Sequence, residues 1–198
     1  MKIAVFGLSA DPFHNGHLEI IKRLSNTYDL VVVIPTTIRY YKENKQMFSF
    51  TERFETIKEN VKDLPNVSVS DIEREVNKDW RFVNSLLAIK ELYGKDNEYY
   101  LAMGSDSFQK LKTWCNWETI VKEIKRVVVF RRPGYEDNFP EGIDYIYCEN
   151  MNNPLSSSAI RKTLRDKMKE LEDLVVDEMI DDLSFCEGYE EYLDDYHY

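Results

Sequence analysis

A short apolar run, Lys2-Ile3-Ala4-Val5-Phe6, opens the chain and leads through Gly7-Leu8-Ser9-Ala10-Asp11-Pro12-Phe13-His14-Asn15-Gly16-His17 into residues 16–27, where Leu18, Ile21 and Leu24 fall at helical spacing. This strand, turn and helix start constrain the fold most, because the same alternation repeats to the far end. Residues 29–35, Asp-Leu-Val-Val-Val-Ile-Pro, form a continuous β-branched run of the kind a strand buried on both faces needs. Further strands are expected at 67–72, 98–103, 126–130 and 143–148. Helices are expected at 49–61, 80–93, 108–111, 117–123, 156–168 and 174–183, with 36–48 a polar, aromatic loop carrying Lys42. Ser49 or Thr51 followed by Glu52 is a helix-start signal. Strands alternating with helices predict an α/β fold whose parallel sheet is covered on both faces. Ligands on such sheets sit at the carboxyl ends of the strands. The polar clusters follow strands in three places: Gly7 to His17, Gly104-Ser105-Asp106, and Ser156 to Arg161.

At 198 residues the chain is long enough for one domain with a real core. Its net charge of −10 is unevenly placed: residues 169–198 carry twelve Asp and Glu and one lysine, so residues 1–168 sum to about +1. The expected organisation is therefore a domain over 1–168 and an acidic, mainly helical extension of it over 169–198. A near-neutral body can hold local basic sites for anions, while the acidic tail argues against nucleic-acid binding. No apolar run reaches the roughly 20 residues of a membrane span. Three scattered cysteines, Cys115, Cys148 and Cys186, read as reduced thiols in a cytoplasmic protein.

His14 and His17, two of only three histidines, stand three residues apart at a helix entrance and can face one side. Gly16 between them lets a ligand approach the backbone, and helix-start N–H groups attract anions. Two imidazoles there could stabilise charge developing on a phosphate. They could equally be capping residues or, with further ligands, bind zinc. In Asn153-Pro154-Leu155-Ser156-Ser157-Ser158-Ala159-Ile160-Arg161, one serine caps a helix and the others can donate to a phosphate, with Arg161 one turn in as a planar cation. The alternative is a capped helix with a surface arginine. Lys42, among Arg39, Tyr40 and Tyr41, could close over a triphosphate, and Arg53, on a helix, could be a plain surface charge. Trp114 and Trp117 could stack on an aromatic ring or fill the core.

Gly7 to His17 resembles the signature Gly-x-(Ser/Thr)-Phe-(Asp/Asn)-Pro-x-His-x-Gly-His of nucleotidyltransferases, and Ser156 to Arg161 resembles their second signature. Within that superfamily the intervening chain is similar to the nicotinate-nucleotide adenylyltransferases. Gly104-Ser105-Asp106 with Leu111-Lys112-Thr113-Trp114 resembles their Gly-x-Asp and Leu-x-x-Trp. Residues 127–135, ending Arg131-Arg132-Pro133-Gly134-Tyr135, resemble their Arg-Pro-Gly-Tyr strand exit, and Pro35, Lys42 and Arg53 their Pro, His-Lys and Arg region. The chain departs at Leu8, at Ala10 in place of the signature phenylalanine, at Tyr40-Tyr41-Lys42, and at Asp79-Trp80-Arg81 in place of Ser-Tyr-Thr.

The resemblance implies a Rossmann-like, doubly wound sheet and AMP transfer from ATP to nicotinate mononucleotide, releasing pyrophosphate. It implies catalytic roles for His14, His17, Lys42 and Arg161. ATP would be held by Gly7, Leu8, Ser9, Gly16, Asp106, Ser157 and Ser158, and the acceptor by Trp114 and Arg132. Mg²⁺ would enter on the ATP phosphates, with no protein metal cage. A homodimer is compatible with all this. Sister transferases acting on nicotinamide mononucleotide, pantetheine phosphate or a CTP-dependent acceptor remain alternatives, as does a non-catalytic nucleotide sensor.

Overall fold

The structure is a computed structural model that describes residues 1–37, 47–76, 81–131, 138–148 and 156–172. It divides into two units, residues 1–157 and the segment from Ser158 onward. In the first, six strands, β1 (Lys2–Leu8), β2 (Leu30–Pro35), β3 (Val67–Val69), β4 (Glu98–Gly104), β5 (Arg126–Phe130) and β6 (Tyr145–Cys148), form one sheet. The order is β3-β2-β1-β4-β5-β6 and every pairing is parallel. The expected doubly wound parallel sheet is thus present.

The apolar runs are continuous because both faces of the sheet are covered. Side chains alternate across a strand, so Ala4 and Phe6 of β1 face one layer while Ile3 and Val5 face the other. Helices α1 (Asn15–Ser25) and α2 (Phe50–Val61) fill the first layer with Ile20, Ile21, Leu24, Ile57 and Val61. Helices α4 (Phe82–Tyr93), α5 (Ser105–Phe108) and α6 (Trp117–Glu123) fill the second with Val83, Leu86, Ile89, Phe108 and Ile120. The chain leaves β1 toward β2 and β3, then crosses back to β4 on β1's other side. This reversal makes the carboxyl ends of β1 and β4 the switch point where such sheets open a crevice.

Three expected boundaries are corrected. Ile72 does not end β3 but starts a short helix, α3 (Ile72–Val76), because Ser70 Oγ accepts its N–H at 3.2 Å and Arg74 N donates to Asp71 O at 2.8 Å. β1 runs on through Gly7 and Leu8, whose register partners are Ile34 and Pro35, so both are strand rather than turn. The helical piece expected at 108–111 is in two parts that flank it, α5 and a 3₁₀ turn over Leu111–Thr113, with Phe108 a core residue of the first and Leu111 of the second. Ser49 caps α2 as expected, its Oγ accepting from Glu52 N while Glu52 accepts from Ser49 N. In the second unit, α7 (Ser157–Glu172) continues from its first residue, and the helix expected at 174–183 lies outside the described residues.

Candidate active site

The turn after β1 ends at His14, the N-cap of α1. His14 Nδ1 accepts the Gly16 N–H at 3.2 Å, and His17 Nδ1 accepts the His14 N–H at 3.3 Å. The two histidines therefore form a reciprocal capping box, with imidazole nitrogens in the places usually taken by a hydroxyl and a carboxylate. Main-chain N–H groups only donate, so each Nδ1 presents a lone pair, and each neutral ring carries its hydrogen on Nε2. The rings stack at 3.7 Å between centroids and 23° between planes, and Phe13 stacks on His17 at 5.6 Å. The sequence left capping and phosphate chemistry as alternatives. In the fold the Nδ1 edges cap, and the Nε2 edges are hydrogen-bond donors.

The rest of the turn is anchored by groups the sequence reading underrated. Asp11 is fully buried, and its carboxylate accepts from Met47 N at 3.1 Å and Phe48 N at 2.9 Å. Arg53 is not a surface charge: it is 3% exposed, its Nη1 donating to Ser9 O and its Nε to Phe48 O at 3.1 Å. One cation and one anion thus tie both sides of the turn to residues 47–48. Ala10 sits between them, fully buried and left-handed at φ 50°, a conformation that disfavours a Cβ by about 1–2 kcal/mol and that these anchors hold in place. Ser157 Oγ donates to Pro12 O at 3.0 Å, so in this arrangement its single hydroxyl hydrogen is directed at the turn.

At the end of β4, Gly104 is followed by the buried Ser105 and the half-buried Asp106. A Cβ on Gly104 would lie 2.6 Å from Asp106 Oδ1, so glycine allows the carboxylate to fold back over the strand end. Gly7 has a similar reason: a Cβ there would lie 2.8 Å from the Phe82 ring of α4. Phe82 in turn meets Trp114 edge-on, centroids 5.6 Å apart and planes at 70°. Trp114 and Trp117 are both half-buried against the second core layer, and Lys112 Nζ lies 5.5 Å from the Trp117 ring.

The fold thus brings Gly7, Leu8, Ser9, His14, Gly16 and His17 to the end of β1, and Asp106 and Trp114 to the chain that follows neighbouring β4. In α7, Arg161 is 1% exposed and its Nη2 donates to the Ser158 hydroxyl at 3.1 Å, so it is not the surface arginine of the alternative reading. Lys42 and Arg132 lie outside the described residues, as do Tyr40, Tyr41 and Asp79-Trp80. Asp11 and Phe82 were missed as site residues. The signal for Asp11 was its place before Pro12 in a turn, and Phe82 had none. Among the described residues no three His, Cys, Asp or Glu side chains gather to hold a metal, and no helix is long and apolar enough to cross a membrane.

Residues 5–163 match the family model described as cytidylyltransferase-like. A protein of Fusobacterium nucleatum named "Probable nicotinate-nucleotide adenylyltransferase" is 34% identical over 174 residues, spanning 84% of this chain and 89% of its own. One of the same name from Campylobacter jejuni is 35% identical over 173 residues, spanning 83% and 87%. Among solved structures, a nicotinic acid mononucleotide adenylyltransferase of Plasmodium falciparum complexed with NaAD superposes with a TM-score of 0.67 at 21% identity, covering 81% of this chain and 82% of that one, a likeness of fold. With the paired histidines on their strand, turn and helix, these matches identify the chain as a member of the cytidylyltransferase-like family, among the nicotinate-nucleotide adenylyltransferases.

Proposed function

We propose that the protein transfers AMP from ATP to nicotinate mononucleotide, forming nicotinate adenine dinucleotide and pyrophosphate. The acceptor's phosphate attacks the α-phosphorus of ATP in line, a P–O bond forms, and the bond to the β-phosphate oxygen breaks with its electron pair leaving on pyrophosphate. The attacking phosphate is already an anion at neutral pH, so no general base and no covalent enzyme intermediate are needed. Catalysis is then positioning together with stabilisation of developing charge.

The observation that carries this proposal is the engagement of both histidines through Nδ1, which fixes both neutral rings as Nε2–H tautomers at the start of α1. Such donors suit the non-bridging oxygens of the α-phosphate, where charge builds in the transition state. Because the capping box fixes them beforehand, little reorganisation accompanies the reaction. Gly7, Leu8, Ser9 and Gly16 give ATP a close main-chain approach, and Asp106 accepts from ribose hydroxyls. By the family resemblance, Ser157, Ser158, Arg161 and Lys42 serve the triphosphate, Ser157 through its main-chain N–H while its hydroxyl holds Pro12. Trp114 stacks on the pyridine ring and Arg132 pairs with acceptor anions. Mg²⁺ arrives as part of the substrate, on ATP phosphate oxygens, as this hard cation commonly does. The enzyme is read as cytoplasmic, with residues 169–198 an acidic extension of the same domain.

The test is pyrophosphate release from ATP and Mg²⁺ with nicotinate mononucleotide, nicotinamide mononucleotide and pantetheine phosphate, each repeated with CTP in place of ATP. Turnover with ATP and nicotinate mononucleotide should exceed every other pair. Preference for another pair would reassign the enzyme to a sister activity, and no release from any pair would leave a nucleotide-binding protein without catalysis.

A further inference from the structure

The end of β1, the start of α4 and Trp114 are linked by one side chain. Phe82 is the first residue of α4, and its ring lies so close to Gly7 that any Cβ there would stand 2.8 Å from Cε2 and 3.3 Å from Cδ2. The same ring meets Trp114 edge-on at 5.6 Å. Trp114 ends the 3₁₀ turn, with its N–H bound to Leu111 O and its carbonyl accepting from Trp117 N, so its backbone is fixed. Its half-buried indole has Phe82 as its ring partner among the described residues. An edge-to-face pair is directional, because the positive rim of one ring faces the negative face of the other, and it sets orientation as well as adding stability.

We infer that Phe82 is a positioning residue for the acceptor: seated on Gly7, it holds the Trp114 ring at the angle from which that ring stacks on the acceptor's base. This rests on the proposed role of Trp114. Gly7 is then glycine to admit an aromatic ring, in addition to any approach it gives ATP. Phe82 is assigned no contact with the reacting atoms, and its proposed influence on the acceptor passes through Trp114.

A double-mutant cycle tests this. KM for nicotinate mononucleotide, KM for ATP and kcat are measured for the wild type, Phe82→Ala, Trp114→Ala and the pair, with Phe82→Leu as a second variant that keeps the bulk on Gly7 and removes the ring. Phe82→Leu and Phe82→Ala should raise the acceptor KM about two- to tenfold, the range an aromatic pair supports, and leave the ATP KM unchanged. In the Trp114→Ala background, removing Phe82 should have no further effect on the acceptor KM. An undiminished Phe82 effect in that background, or a rise confined to the ATP KM, would overturn the proposal. If Trp114→Ala raises the acceptor KM and neither Phe82 variant does, only the positioning role fails. If Trp114→Ala itself changes nothing, the stacking role and this inference fail together. A clash readout is independent of catalysis: Gly7→Ala should lower Tm, and Phe82→Ala should relieve part of that loss.

Discussion

The turns after β1 and β4 end at the same switch point but are built from opposite materials. The first is polar and closed by hydrogen bonds: His14 and His17 cap α1, Asp11 takes the N–H groups of Met47 and Phe48, and Arg53 takes the carbonyls of Ser9 and Phe48. The second is shaped by packing, with Gly104 making room for Asp106, and Phe82 meeting Trp114. Hydrogen bonds to fixed backbone groups set direction within a few tenths of an ångström, which suits donors aimed at a phosphate. Aromatic packing sets the tilt of a surface and tolerates variation, which suits holding a flat base. The difference teaches that chemistry and acceptor choice can be altered separately here.

Changes in the first turn should have the larger effects. His14→Asn keeps the cap, since Asn Oδ1 is as many bonds from the backbone as His Nδ1 and asparagine is a preferred N-cap, but it removes the Nε2 donor. Turnover should fall about 10²- to 10³-fold, as for loss of one preorganised donor, with Tm near that of the wild type. Normal turnover would show that the polar turn is only architecture. Arg53→Ala takes the guanidinium donor from two part-buried carbonyls and should lower unfolding free energy by about 1–3 kcal/mol, read by urea denaturation. An unchanged midpoint would mean that the turn does not depend on its cation.

In the second turn, Trp114→Ala should raise the acceptor KM about tenfold, the loss of a single base–aromatic stack, and spare the ATP KM. Equal losses for both substrates would erase the division of labour between the turns. The smallest effect concerns thiols. Cys115 is exposed beside Trp114, whereas burial pushes the Cys148 thiol up from its ordinary value and keeps it in the unreactive form. Peptide mapping after alkylation near pH 8 should find Cys115 modified before Cys148, and nicotinate mononucleotide should slow that modification more than ATP does. Protection by ATP alone would place the acceptor elsewhere.

Much of this was legible in the sequence. Continuous β-branched runs announce strands covered on both faces, and helical spacing at Leu18, Ile21 and Leu24 announces α1. The histidine pair was visible because histidine is rare here, but its capping box was not, since histidine is an unusual cap and only geometry shows which nitrogen is engaged. Arg53 looked like a surface charge because α2 is otherwise amphipathic. Its burial depends on carbonyls 44 and 5 residues away, Ser9 and Phe48. Ile72 looked like a strand residue because its apolar type fits either state, and a hydrogen bond from its own N–H to Ser70 Oγ decided for helix. The Gly7–Phe82 contact joins residues from two elements far apart in the chain, and no local pattern encodes it.

The central claim is that His17 caps through Nδ1 and catalyses through Nε2. Its most direct test is kcat for pyrophosphate release by His17→Asn, measured with its Tm beside those of the wild type and His17→Ala. Asparagine can still accept the His14 N–H, so its Tm should stay near the wild-type value while that of His17→Ala drops, and both variants should lose about 10²- to 10³-fold in kcat. Near-normal turnover in His17→Asn would contradict the account, because the Nε2 donor would then be dispensable.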